Sequence, residues 1–157
     1  MPSWKTNCIE DWETKVDRIV EETENENMTL ISGIPPWLIM YFEKLIDKHG
    51  KKITQIFPNL QLIITGGVNY EPYREKMNEL LGKPVDIVQT FPASEGFFAF
   101  QDDYTKEGLL LLTNHGIFYE FIPLEQYGKP NAERLTLKEI ELNKDYALIL
   151  TTNSGLW

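Results

Sequence analysis

The chain has 157 residues, and 15 Lys+Arg against 24 Asp+Glu give it a formal charge of −9 at pH 7. Apolar residues make up 42% and charged residues 25%, the balance of a globular chain that buries a core rather than of a disordered or fibrous one. The acidic surplus argues against a nucleic-acid or anionic-membrane binder, which needs a basic stripe, and a single cysteine, Cys8, excludes an internal disulfide.

The N-terminal Met1-Pro2-Ser3-Trp4-Lys5 lacks the apolar core of a signal peptide, and the apolar runs Trp37–Phe42 and Leu109–Leu112 are too short to span a bilayer. A soluble, cytoplasmic protein in a reducing compartment is expected. Ile9, Trp12, Val16, Ile19 and Val20 fall at helical spacing, with acidic residues on the other face, which predicts an amphipathic helix. Pro35-Pro36 opens a second helix, where a missing N–H costs nothing. Its first half, Trp37–Phe42, is apolar all round and is expected to be buried, and Gly50 ends it.

Leu60–Thr65 predicts a buried strand stopped by Gly66-Gly67. Pro72 starts a helix with Tyr73, Met77, Leu80 and Leu81 on one face, and Gly82 caps it. Val85–Thr90 predicts the next strand. Strand, helix, strand over about thirty residues is a βαβ unit with parallel strands. After residue 95, Phe97–Gln101, Leu109–Thr113, Ile117–Ile122 and Tyr146–Thr152 read as strands separated by turn residues, and Thr136–Glu141 as a short helical turn. The expected fold is therefore α/β, with a βαβ unit and mostly antiparallel strands on one mixed sheet, and residues 1–157 form a single domain. Because Tyr146–Thr152 is a core strand with no element closing it, that domain is expected to be partial.

In open α/β sheets, ligands occupy the crevice beyond the carboxyl ends of the parallel strands. Two such ends are chemically distinctive. At Gly66-Gly67 the backbone can approach a ligand. At Thr90-Phe91-Pro92-Ala93-Ser94-Glu95-Gly96 an aromatic, a hydroxyl and a carboxylate follow in close succession. The plainer reading makes Gly66-Gly67 a tight turn and Glu95 a solvated acid. Asp102-Asp103 reads as a solvated turn, His115 as a hairpin tip, and Trp37–Phe42 as core rather than an acyl pocket. No Gly-x-Ser-x-Gly elbow supports serine hydrolysis.

Phe91-Pro92-Ala93-Ser94-Glu95-Gly96 resembles the aromatic-x-(Ala/Ser)-Ser-Glu-Gly nucleotide motif of the acyl-adenylate-forming superfamily. More narrowly, the chain resembles the auxin-responsive acyl-acid amido synthetases (the Gretchen Hagen family) and their bacterial relatives. The matching segments, in order, are Ile31–Trp37, Gly66–Arg74, Ala93–Phe98, Gly116–Pro123 and Thr151–Trp157. The resemblance implies an ATP-dependent enzyme that activates a carboxylic acid as its acyl-adenylate and passes it to an amino acid. It implies that Gly66, Gly67 and Val68 border adenine and that Pro92, Ala93, Ser94, Glu95, Gly96 and Phe97 hold the nucleotide, with Ser94 near the α-phosphate. Glu95 would be the catalytic, magnesium-side carboxylate, an oxygen ligand suited to Mg²⁺. Thr90, Phe91 and Pro92 would lie between nucleotide and acyl group. Relatives usually carry Tyr followed by Gly, Ala or Asn where this chain has Phe91-Pro92, so a hydroxyl and a backbone donor are lost there.

The family's Ser/Thr/Gly-rich phosphate loop and its aromatic-Arg-x-x-Gly-Asp segment are not found in these 157 residues. The chain thus reads as the central part of an N-terminal adenylating domain, without the phosphate loop or C-terminal domain, inactive alone and prone to self-association. The alternatives are a segment of an enzyme that passes the acyl group to coenzyme A, and a non-catalytic interaction module with the same fold.

Overall fold

The computed structural model describes residues 2–106, 108–153 and 155–156. In chain order the elements are α1 (Trp4–Asn7), α2 (Trp12–Thr23), β1 (Leu30–Gly33), α3 (Pro35–His49), α4 (Ile53–Ile56), β2 (Leu62–Gly66), α5 (Arg74–Leu81), β3 (Asp86–Ala93), β4 (Gly96–Phe100), β5 (Leu110–Leu111), β6 (Phe118–Pro123), β7 (Tyr146–Thr152) and β8 (Gly155–Leu156). Among the described residues β1 to β5 follow one another in a five-stranded sheet, and β6 to β8 form a three-stranded one. The α/β class, the βαβ unit and the mixed strand directions are as expected. The difference is that the last three strands build a sheet of their own instead of extending the first.

The chain divides into two compact units, one of residues 1–92 and 99–110, the other of residues 93–98 and 111–157. In the first unit, α2 begins where the Asp11 side chain accepts a 2.8 Å hydrogen bond from the Thr14 N–H, satisfying one of the donors a helix start leaves open. The expected helix thus starts three residues later than its apolar spacing suggests. Pro35 and Pro36 occupy the first turn of α3. A 3₁₀ turn over Glu71–Tyr73 leads into α5, which ends at Gly82 with φ +78°, a backbone conformation that only glycine adopts cheaply.

Strand β2 runs parallel to β1 on one side, Leu30 opposite Leu62, and to β3 on the other, Leu62 opposite Asp86 and Gly66 opposite Thr90. Parallel strands require a crossover, and α5 lies on the connection between β2 and β3. Val16 and Val20 of α2, Leu38, Phe42 and Leu45 of α3, Ile63 of β2, and Met77 and Leu81 of α5 make one buried core. Each large side chain removed from water there is worth about 1.5–3 kcal/mol. Trp37 and Met40 depart from expectation. Both are exposed, Trp37 lying against Trp12 with ring centroids 4.8 Å apart, while Leu38 and Phe42 are buried.

In the second unit, β6 and β7 pair antiparallel from Phe118 opposite Thr151 to Pro123 opposite Tyr146, and β7 pairs with β8. Phe98, Tyr119 and Leu150 form its small core, flanked by Ile117, Phe121 and Leu148. Thr136–Glu141 is a hydrogen-bonded turn, closed by Glu139 N–H to the Thr136 carbonyl, rather than a helix. Of the closing Thr151–Trp157 segment, Ser154 and Trp157 lie outside the described residues, as do Met1 and Glu107.

Candidate functional site

A crevice of about 780 Å³ in the first unit opens at the carboxyl ends of β2 and β3, lined among others by Gly67, Val68, Thr90 and Phe91. The location follows from topology. Strand β2 ends at Gly66, opposite Thr90, whereas β3 runs on to Ala93, so the turn after β2 faces the last residues of β3. Thr90, Phe91, Pro92 and Ala93 thus belong to the strand rather than to the loop expected there. Four residues singled out in the sequence therefore meet in one wall.

The two glycines serve different needs. A Cβ on Gly66 would lie 2.6 Å from Thr90 Oγ1 and 2.9 Å from the Thr90 carbonyl. Gly66 is thus small because β3 packs against it, and the hydroxyl it accommodates donates a 2.9 Å hydrogen bond to the Thr65 carbonyl. Gly67 instead has φ +82°, and an added Cβ would meet only the Ile34 side chain at 3.6 Å. There the backbone conformation, not space, selects glycine. Pro92 follows Phe91 on β3, and its ring lies 3.0 Å from the position a Gly66 Cβ would take.

Sequence reasoning missed much of the rest of the wall. Glu71 and Arg74 line the crevice as an ion pair, with Arg74 Nε donating to Glu71 Oε2 at 2.9 Å and the guanidinium 5.1 Å from the Tyr70 ring centre. That pairing holds the Glu71 carboxyl below its ordinary range. Tyr70 itself is buried, with its hydroxyl unpartnered among the described residues and pushed up in pKa by burial. Tyr104, Thr105, Lys106 and Leu109 come from the loop after β4. Asp103 organises that loop. Its Oδ1 accepts from the Thr105 N–H at 2.9 Å and the Thr105 hydroxyl at 2.6 Å, and its Oδ2 pairs with Lys106 Nζ at 2.9 Å. The bonds from Thr105, then Lys106, lower the Asp103 pKa. A turn built on an Asp side chain has no apolar periodicity, so the sequence offered only the turn, not what it carries.

The other predicted residues belong to the second unit. Ser94 and Glu95 form the turn between β3 and β4, following Ala93. The Glu95 side chain is exposed and has no hydrogen bond or ion pair among the described residues. Gly96 is packed closely, since a Cβ there would meet Ile117 Cδ1 at 2.9 Å. The carbonyl of half-exposed Phe97 accepts a 2.6 Å hydrogen bond from His115 Nε2, which fixes the neutral ring's proton on that nitrogen.

A Mg²⁺ ion keeps most of its water and is held by one or two carboxylates together with substrate phosphates. The unengaged Glu95 carboxylate fits that need. Among the described residues no cluster of three or more His, Cys, Asp or Glu side chains offers an all-protein metal cage. No helix among them is long and apolar enough to cross a membrane.

Residues 110–157 match the GH3 family central domain. The matched stretch holds all of β6 and β7, and it is similar to the family that the ordered segments resemble. No curated protein matches the chain in sequence. Among solved structures, an adenylation domain of Vibrio cholerae, AlmE, in complex with glycyl-adenosine-5'-phosphate, is similar at 9% identity and a TM-score of 0.45. The likeness covers 93% of this chain and 33% of that one, so the chain spans about a third of its length.

Proposed function

We propose that this chain is the central, nucleotide-contacting segment of an ATP-dependent acyl-acid amido synthetase. The observation that carries the reading is the meeting of Gly67, Val68, Thr90 and Phe91 in one crevice at the ends of two parallel strands. Gly67 and Val68 come from the segment that resembles the family's adenine border. Phe91 opens the segment that resembles its nucleotide motif, with Thr90 just before it, where the resemblance puts the junction of nucleotide and acyl group. The match of residues 110–157 to the GH3 family central domain supports it from a separate part of the chain.

In the proposed reaction a substrate carboxylate attacks the α-phosphate of ATP. An acyl-oxygen to phosphorus bond forms, the bond from the α-phosphate to the bridging oxygen breaks, and pyrophosphate leaves with its electron pair. An amino acid's amine then attacks the acyl carbon, the bond to AMP breaks, and the amine's proton is lost. Protein groups contribute positioning and charge neutralisation more than covalent chemistry. Gly66, Gly67 and Val68 border the base, Phe91 offers a ring face beside Thr90, and Ser94 donates toward the α-phosphate. Glu95 would hold Mg²⁺, which would supply charge neutralisation at the phosphates when bound.

The test is pyrophosphate exchange into ATP by a polypeptide that joins these residues to a phosphate loop, with a panel of carboxylic acids, followed by amino-acid-dependent amide formation. Acid-dependent exchange with amide product supports the reading. Exchange followed by thioester formation with coenzyme A, and no amide, would replace it.

A further inference from the structure

Resting on the nucleotide reading of the crevice, we infer that the loop after β4 supplies the outer wall of the base site, with Tyr104 stacking on a planar heteroaromatic ring and Lys106 taking an anionic group attached to it. Three large apolar side chains, Val68, Phe91 and Tyr104, line this one crevice while 45%, 44% and 61% exposed. Such exposure clustered on a concave surface marks a binding site more than scattered surface residues do. Tyr104 has no hydrogen bond, ion pair or ring contact among the described residues, so its face is open to a ligand.

The ligand class follows from the company Tyr104 keeps. A ring face lining the same crevice as Val68 and the backbone of Gly67 suits a flat aromatic base, which stacks and can use backbone donors and acceptors at its edge. Lys106, two residues on, lines the same crevice and is 77% exposed at its side chain. Its only described ion-pair partner is Asp103. An ion pair that exposed contributes little, so Lys106 can exchange Asp103 for an incoming phosphate. Asp103 is then a positioning residue. Its bonds to Thr105 shape the turn that presents Tyr104, and its charge restrains Lys106 until an anion arrives.

Calorimetric titration of the 157-residue chain with adenosine and with AMP tests this. Tyr104→Ala should weaken both ligands about tenfold, the loss of one stacked base, whereas Tyr104→Phe should bind both as the parent does. Lys106→Ala should weaken AMP about tenfold or more, the scale of one charged hydrogen bond, and leave adenosine unchanged. Asp103→Asn, which keeps an acceptor for Thr105, should strengthen AMP binding alone. Parent-like binding of both ligands by Tyr104→Ala overturns the inference and leaves the nucleotide reading standing. An equal loss of both ligands in Lys106→Ala overturns the charge assignment. The absence of saturable binding to the unaltered chain overturns both the inference and the reading beneath it.

Discussion

Thr90 Oγ1 donates a 2.9 Å hydrogen bond to the carbonyl of Thr65 across the β2–β3 ladder, through a space that exists because Gly66 has no side chain. Gly66→Ala would set a methyl group 2.6 Å from that hydroxyl. The change should cost about 1–3 kcal/mol, the usual penalty of overpacking, read from denaturant unfolding. Thr90→Ala alone should cost about 1 kcal/mol for the lost hydrogen bond. The double variant should cost less than the sum, because the hydroxyl part of the clash is gone while the Thr90 carbonyl at 2.9 Å remains. Strict additivity would show that the crowding lies elsewhere.

Gly67 should behave differently. Gly67→Ala meets no close atom but must hold φ +82°, which costs an alanine about 1–2 kcal/mol. No variant of Ile34, its nearest neighbour, should rescue it. Rescue by Ile34→Ala would mean that space rather than backbone conformation selects glycine at this position.

The buried hydroxyl pair between α2 and α3 gives a signed pH dependence. Thr23 Oγ1 lies 2.6 Å from the Ile19 carbonyl and 2.7 Å from Tyr41 Oη. With its one proton given to Ile19, Thr23 accepts from Tyr41. Burial raises the Tyr41 pKa above its ordinary 10.0. The folded state therefore keeps a proton that the unfolded chain gives up, and this stability is present below pH 10 and is lost as pH rises through the folded value. Tyr41→Phe should flatten the alkaline limb of the stability profile. Thr23→Val, which leaves the buried Tyr41 hydroxyl unpaired, should cost about 1–3 kcal/mol at neutral pH.

Glu22 acts at the other end of the scale. It accepts from the Ser3 N–H at 2.6 Å and from the hydroxyls of Ser3 and Thr6, each at 2.7 Å, tying α1 to α2. Those bonds, the Ser3 N–H first, lower its pKa from 4.5. The contribution is present above pH 4.5 and is lost as pH falls through the lowered folded value. The protection of the α1 amides against hydrogen exchange, taken relative to their intrinsic rates at each pH, should fall over that acid window, and this fall should be absent in Glu22→Gln. An unchanged acid profile in the variant would assign the effect to another carboxylate.

Much of the first unit is legible in the sequence because its signals agree with each other. The Gly66-Gly67 stop, the Pro72 start and the Gly82 cap bracket α5 between two apolar runs, and the parallel pairing follows. Tyr146–Thr152 is bounded as expected. Strand β1 escapes because it has four residues, neither face of which is buried outright, and it runs straight into Pro35. The expected Leu109–Thr113 strand shrinks to Leu110–Leu111, since an apolar run shows burial but not pairing length. Helical spacing also cannot show that Trp37 stays half exposed with its ring tilted against that of Trp12. The strand-end half of the crevice was readable from Gly67 and Phe91. The half carried by Asp103, Tyr104 and Lys106 was not, because side-chain bonds within a turn leave no periodic trace.

Glu95 separates function from stability. Its side chain is exposed and without a hydrogen bond or ion pair among the described residues, so Glu95→Gln should leave unfolding unchanged. In a polypeptide competent for adenylation the same change should slow pyrophosphate exchange by about two or more orders of magnitude, the scale of losing one preorganised electrostatic group. Asp102→Asn is the control and should exchange at the parent rate. A silent Glu95→Gln with a damaging Asp102→Asn would move the metal-side carboxylate to the loop after β4.

Amide chemical shifts of the 157-residue chain, followed during titration with ATP and Mg²⁺, test the nucleotide site most directly. The account predicts saturable shifts concentrated at Gly66, Gly67, Val68, Thr90 and Phe91, with Tyr104 and Lys106 moving on the same binding curve. Shifts concentrated instead around Leu135 and Tyr146, which line a separate crevice of the second unit, or no saturable shift at all, would contradict it.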